Sequence, residues 1–177
     1  MVDMNLEVHI IPVHDPDRAK QFYQRLGWRL DSDDSPADGV RLIQFTPPGS
    51  GCSVTFGTGI TAAAFALGLP TVPDVADRGR ARGQSPGGSA SPGTFQGGLI
   101  VTDILAAHRD LTDRGIEVGE VFHGFPVPEE ARMPGPHPER ASRASYFPFQ
   151  DSEGNAWLVQ EITTRMPGRE RPSSTKA

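Results

Sequence analysis

The stretch VHIIPVHDPDRAKQFYQRLGWRL at residues 8–30 returns as GGLIVTDILAAHRDLTDRGIEV at residues 97–118. Setting Asp15 on Asp103 also sets Val13 on Val101, Ala19 on Ala107 and Gly27 on Gly115, a constant offset of 88 with no gap. Such a repeat constrains the fold more firmly than local propensity, because two stretches must satisfy one hydrophobic pattern. In each copy a β-branched and aliphatic run ends at an Asp whose side chain suits the first free N–H groups of a helix. Pro16 follows the first Asp, at a position where a missing N–H is harmless. Ala19, Phe22, Tyr23 and Leu26 then form an apolar stripe at helical spacing, and Leu105, Ala107, His108 and Leu111 form a weaker one. Gly27 and Gly115 end the helices through the left-handed conformation that glycine adopts at little steric cost.

Beyond its helix, copy one predicts strands at 28–30, 40–46 and 53–57, separated by the turn-rich stretches DSDDSPADG and PPGSG. Copy two predicts strands at 116–122, 144–150 and 156–162, with a Pro-rich excursion over 123–142 and the turn DSEGN. Aligning Gly51 with Gly154 raises the offset to 103, so copy two holds 15 extra residues, most simply in that excursion. The expected fold is α+β: two βαβββ modules, 6–57 and 96–163, in one domain over 5–164. Residues 68–94 read as a flexible linker and 165–177 as a disordered tail. Both are rich in Gly, Pro, Ser or Arg and offer little apolar surface to offset the entropy of ordering.

The 177 residues are enough to bury a core without staples. The single cysteine, Cys52, excludes an internal disulfide framework and a cysteine-built zinc site, and it points to a reducing, cytoplasmic setting. No apolar run approaches the roughly 18 residues of a membrane span. A net charge of -5, with both signs mixed along the chain, offers no basic stripe for nucleic acid. A phosphate loop, a GxSxG elbow and an HExxH pair are all missing, which removes the parts of common nucleotide, hydrolase and zincin chemistry.

The opening VHIIPVHDPDRAKQFYQRLG, the second VTDILAAHRDLTDRGIEV and the closing FQDSEGNAWLVQEI together resemble the vicinal oxygen chelate superfamily, the glyoxalase, bleomycin-resistance and extradiol-dioxygenase fold. The resemblance covers nearly all of residues 6–163. It implies two modules that pair into a cupped mixed sheet, with helices outside, around a small organic ligand. It also implies, in metal-dependent members, a His six residues before each capping Asp and a Glu four residues after each turn Gly. His9 matches the first of these positions; Gly97, Thr55 and Leu158 stand at the other three. One donor of four does not displace enough of a divalent ion's water, so no cofactor is expected, with a divalent metal on His9 as the alternative.

Strand alternation adds Gln44 and Gln160 as fixed hydrogen-bonding groups in an otherwise apolar pocket. Gln160 could also donate an oxygen after a local shift. Glu161 should face the other way. Tyr146 either aims its hydroxyl into that pocket or fills core, and Gly97, opposite His9, leaves room. The excursion carries His123 at its hinge, then Arg132, His137 and Arg140, with Arg143 beyond; loops on rigid scaffolds often supply lids and specificity walls. His14 and His108 are assigned no role. The candidate ligand-binding set is therefore His9, Gln44, Thr55, Gly97, His123, Tyr146, Leu158 and Gln160.

Three functions fit these residues. The first is a metal-independent binding or sequestering protein for a small apolar or aromatic molecule, possible also as a homodimer. A second is a glyoxalase-like lyase or isomerase, or a dioxygenase-related enzyme, in which His9 or His123 acts as base or a divalent metal is bound. The third is a partner-binding module working through the Pro/Arg-rich linker.

Overall fold

The structure, a computed structural model, describes Met4 and residues 6–60, 92–125 and 128–165. The chain forms two units, residues 1–96 with 150–156 and residues 97–149 with 157–177. The expected linker falls mostly on 61–91 and the tail on 166–177, outside the described residues.

The first unit holds β1 (Val8–Ile10), α1 (Pro16–Arg25), β2 (Arg29–Ala37), β3 (Val40–Thr46) and β4 (Ser53–Thr58). Its sheet runs in the order β1-β4-β3-β2, with β1 parallel to β4 and the other pairs antiparallel. Asp15 accepts from the Asp17 and Arg18 N–H groups at 3.0 Å. Gly27, at φ 75°, turns the chain so that the Trp28 N–H reaches the Tyr23 carbonyl at 3.2 Å. One face of the sheet receives the helix stripe: Ala19, Phe22, Tyr23 and Leu26 bury against Ile43, Phe45, Val54 and Phe56. Tyr23 sits at the centre of this core, its ring 5.0 Å from Trp28, 5.4 Å from Phe56 and 5.9 Å from Phe45. Each such side chain contributes about 1.5–3 kcal/mol by leaving water.

The short strand expected at 28–30 runs on to Ala37, through residues read as a turn. Asp33 explains part of this, because it receives Arg41 at 2.7 Å and Lys20 at 2.7 Å and so ties a polar strand to its neighbours. β2 is also the sheet's edge, where Pro36 forfeits no ladder bond.

The second unit holds β5 (Gln96–Val101), α2 (Ile104–Asp113), β6 (Phe122–His123), β7 (Met133–Pro134), β8 (Ser145–Gln150) and β9 (Ala156–Glu161), in the sheet order β5-β9-β8-β6-β7. Asp103 caps α2 through Leu105 and Ala106 at 3.0 Å, and Gly115, at φ 73°, lets the Ile116 N–H reach the Leu111 carbonyl at 3.0 Å. The strand expected over 116–122 contracts to a single bridge, Val118 to Phe149, and the two residues of β6. The excursion in turn contributes a 3₁₀ turn (Glu129–Ala131) and the extra strand β7.

The DSEGN turn does more than join two strands. Residues 150–156 pack with the first unit, where Asp151 accepts the Tyr23 hydroxyl at 2.7 Å and Glu153 accepts Arg18 Nε at 2.9 Å. Asn155, fully buried, donates to the Pro12 carbonyl and to Asp151, each at 2.9 Å, and accepts from the Gly93 N–H at 3.1 Å.

Candidate functional site

Each sheet has a face covered by its helix and a face turned away from it, here called the open face. In the first unit the register places Val8 opposite Ser53, Ile10 opposite Thr55 and Gln44 opposite Thr55, so these five share the open face. His9 is opposite Val54, a residue of the helix-side core. Its imidazole is exposed there, 6.2 Å edge-on from the Phe95 ring. His9 thus stands on the side of Val54, while Val8 and Ile10, 39% and 56% exposed, share the open face.

The rest of the first open face is polar and internally bonded. Thr46, buried, donates to the Asp31 carboxylate and pairs with the Ser53 hydroxyl at 2.7 Å, while the Thr55 hydroxyl reaches Gln44 Oε1 at 3.3 Å. The Thr46 hydroxyl and the Arg29 guanidinium hold the Asp31 carboxyl below its ordinary range.

In the second unit the Ile162 N–H meets the Val101 carbonyl at 2.8 Å, in the same sense as the Ala156 bond to Phe95, so β5 and β9 run parallel. This sets Ile100 beside Gln160 on the open face and Gly97, Leu99 and Val101 on the helix side. Gly97, like His9, therefore stands on the helix side of its sheet. Tyr146 and Phe122 are register partners on the open face, their rings 5.7 Å apart and nearly parallel. Tyr146 donates its hydroxyl to the Arg143 carbonyl and accepts from Gln160 Nε2 at 2.8 Å. Leu158 alternates with Gln160 on the same face.

The excursion lays a second layer on this aromatic pair. The Phe125 ring lies 5.1 Å from Tyr146, and the Arg132 guanidinium carbon lies 4.6 Å above the centre of the Phe122 ring. Phe125 remains 48% exposed.

His123 is opposite Ser145, on the helix side, and buried. Its Nδ1 bonds the Gly135 carbonyl at 3.0 Å and its ring meets that of His137 edge-on at 5.7 Å. His123 therefore stands on the helix side, where its imidazole is bonded to the excursion rather than turned to the open face. The same region holds Glu161, with no exposed surface, which accepts the Ile104 N–H at 3.0 Å and Arg140 Nε at 3.0 Å. Arg140 is the main cause that holds the Glu161 carboxyl below its ordinary range, against the opposing effect of burial. Glu153 in the first unit behaves likewise. Burial resists its ionisation, but the His14 N–H and Arg18 together outweigh it.

Of the eight expected binding residues, Gln44 and Thr55 therefore meet on the first open face, and Tyr146, Leu158 and Gln160 meet on the second. His9, Gly97 and His123 stand on helix sides. Phe122, Phe125 and Arg132 complete the second face; Phe122 joins it through its cross-strand pairing with Tyr146, and neither that pairing nor the fold-back of the excursion has a local period in the sequence.

A divalent metal does not fit these faces. Among the described residues no three His, Cys, Asp or Glu side chains gather at one point, and the open faces offer amides, hydroxyls and aromatic rings instead. Asp31 is already engaged by Arg29 and Thr46.

A family model described as bleomycin resistance protein-like N-terminal matches residues 7–36. Among curated proteins no sequence relative matches. Solved structures do. The antibiotic-binding protein TnmS3 from Streptomyces sp. CB03234 aligns over 92% of this chain and 98% of its own, at 20% identity and a TM-score of 0.57. A glyoxalase/bleomycin resistance protein from the same strain aligns over 89% and 100%, at 20% identity and a TM-score of 0.54. A member of the glyoxalase/bleomycin resistance protein/dioxygenase superfamily from Sphaerobacter thermophilus DSM 20745 aligns over 90% and 98%, at 23% identity and a TM-score of 0.50. At these identities the likeness is one of fold. No helix among the described residues is long and apolar enough to cross a membrane.

Proposed function

We propose that this chain, which has the fold of the vicinal oxygen chelate superfamily, binds a small, largely apolar or aromatic molecule on an open sheet face, without a metal ion and without turning it over. The observation that carries this reading is the make-up of the second open face: Phe122 and Tyr146, buried and stacked 5.7 Å apart, a half-exposed Phe125 resting on Tyr146, and one fixed amide on Gln160. An apolar surface with a few aimed polar groups is the usual composition of a small-molecule site. Gln160 spends its NH₂ on Tyr146, which leaves its carbonyl oxygen for a ligand donor.

Enzymatic readings lose their parts on the same face. A general base must lie within hydrogen-bonding reach of the proton it takes. His9 and His123, the expected bases, lie on the opposite sides of their sheets. That TnmS3 is an antibiotic-binding protein on this fold supports a sequestering role here. The unpaired Cys52 supports placing that role in the cytosol.

The test is a thermal-shift panel of polycyclic arenes, quinones and aromatic natural products, run with and without a chelator. A true ligand raises the unfolding midpoint by mass action, and chelation leaves the shift intact. A shift abolished by the chelator, or no shift across the panel, overturns the reading.

A further inference from the structure

The outer layer on the second open face has an unusual electrostatic composition. Arg132 is stacked on Phe122, and its Nε–H is buried with no hydrogen-bond partner. Its nearest carboxylate, Glu129, is 3.9 Å from Nη1, beyond hydrogen-bonding distance, and 86% exposed. Arg140, on the same excursion, shows what an engaged guanidinium looks like: Nε meets Glu161 at 3.0 Å and Nη2 meets Asp103 at 3.1 Å. A buried N–H without an acceptor is costly, and few remain so in native structures without a functional cause. Arg132 is also held by stacking, so its fork is already oriented before any anion arrives.

Phe125 supplies the second half. It is the exposed ring of the layer, resting on Tyr146, which itself stacks on Phe122 beneath Arg132. An exposed ring and an underused guanidinium thus lie over one aromatic pair, on the same strap of chain.

Resting on the small-molecule reading above, we propose that the ligand is a planar arene bearing an anionic oxygen, a carboxylate or an acidic phenolate, and that Arg132 is its charge-reading residue. The arene lies against Phe125 and the anionic oxygen accepts from the Arg132 fork. Stacking selects a flat ring but is indifferent to charge; the guanidinium supplies the discrimination between an acid and its neutral ester.

Fluorescence titration of the full chain with 3-hydroxy-2-naphthoate and with its methyl ester tests this directly. The acid is expected to bind about tenfold more tightly than the ester at low salt, as one charge-assisted pair allows. Arg132→Gln should lower the acid's affinity to that of the ester and leave the ester's unchanged, and added salt should weaken only the acid. Phe125→Ala should weaken both probes alike. An unaltered circular dichroism spectrum and melting midpoint for each variant exclude unfolding as the cause. Equal binding of acid and ester, or an Arg132→Gln protein that binds both as before, overturns the anion assignment while the small-molecule reading stands. If neither probe binds but neutral arenes from the panel raise the midpoint, the assignment again falls alone. If no arene of either kind is bound, both fall together.

Discussion

The two units repeat each other on their helix sides and part company on their open faces. On the helix sides Asp15 and Asp103 cap equivalent helices with equivalent bonds, Gly27 and Gly115 end them at φ 75° and 73°, and a Glu with a buried side chain reaches the start of each helix. On the open faces, Ser53, Thr55 and Gly57 of β4 occupy the positions of Ala156, Leu158 and Gln160 of β9 at the offset of 103. The first face is a set of hydroxyls, an amide and a carboxylate bonded to one another; the second is a stack of rings beneath a guanidinium whose Nε–H has no hydrogen-bond partner. The difference separates two kinds of constraint. Packing a helix on a sheet dictates the first side in both units, while the open face is free to differ, and the face whose polar groups are not already spent is the one suited to a ligand.

The equivalence of the helix sides breaks first at the point where they are built differently. The first unit borrows residues 150–156, and Asn155 is the residue through which the loan is held. Asn155→Ala empties a fully buried position and removes the partner of Asp151, of the Pro12 carbonyl and of the Gly93 N–H, at about 2–3 kcal/mol because the last two can turn to water. Urea unfolding should show this loss; a change under about 1 kcal/mol would mean that the turn contributes little to the first unit.

The second unit relies on its own excursion instead. Glu161→Ala removes the acceptor of Ile104 and Arg140. Stranding a buried charge costs about 3–5 kcal/mol, but Arg140 keeps 38% of its side chain exposed and can turn to water, so about 2–3 kcal/mol is expected. Limited proteolysis within 123–142 should accelerate in the same variant, because the excursion loses its anchor.

Acid should strain both units in the same direction. Glu153 and Glu161 have carboxyls held below their ordinary value of 4.5. Their unfolded forms therefore bind protons first as pH falls. The stability they contribute is fully present above about pH 5 and is lost as pH descends through the folded values. Replacing either by Gln should flatten the fall in unfolding free energy on acidification, and an unflattened curve for one would show that its carboxylate is not the one titrating.

Much of this molecule could be read from its residues, and the limit has a physical origin. The repeat, both caps, both terminal glycines and the core strands β3, β4, β8 and β9 follow from hydrophobic period and turn chemistry. The alternation of β1 and β5 followed too, but not which of their sides turns away from the helix. Val8, His9 and Ile10 are all exposed, so the burial contrast that normally fixes a strand's phase is missing. His9 is singled out by its distance from Asp15 in the family pattern, and that distance alone does not say which side of the sheet the imidazole takes. The excursion was equally opaque, because its fold depends on a glutamate 21 positions from Arg140 and on a ring that Arg132 covers. Such contacts have no local period to announce them.

The smallest effects separate the open faces most cleanly. Thr46 is buried and bonded to both Asp31 and Ser53, so Thr46→Val should cost about 1 kcal/mol as those groups lose a partner. Gln160→Ala should cost about 0.5 kcal/mol or less, because Tyr146 keeps the Arg143 carbonyl when its other partner goes. Ligand affinity should rank the pair the other way, with naphthoate binding weakened by Gln160→Ala and untouched by Thr46→Val. Stability and affinity would then be lodged on different faces, as expected if hydroxyls already bonded to one another serve the fold and an amide with a spare oxygen serves the ligand. If Thr46→Val weakens naphthoate and Gln160→Ala does not, the polar face is the one that binds, and the contrast drawn between the units is inverted.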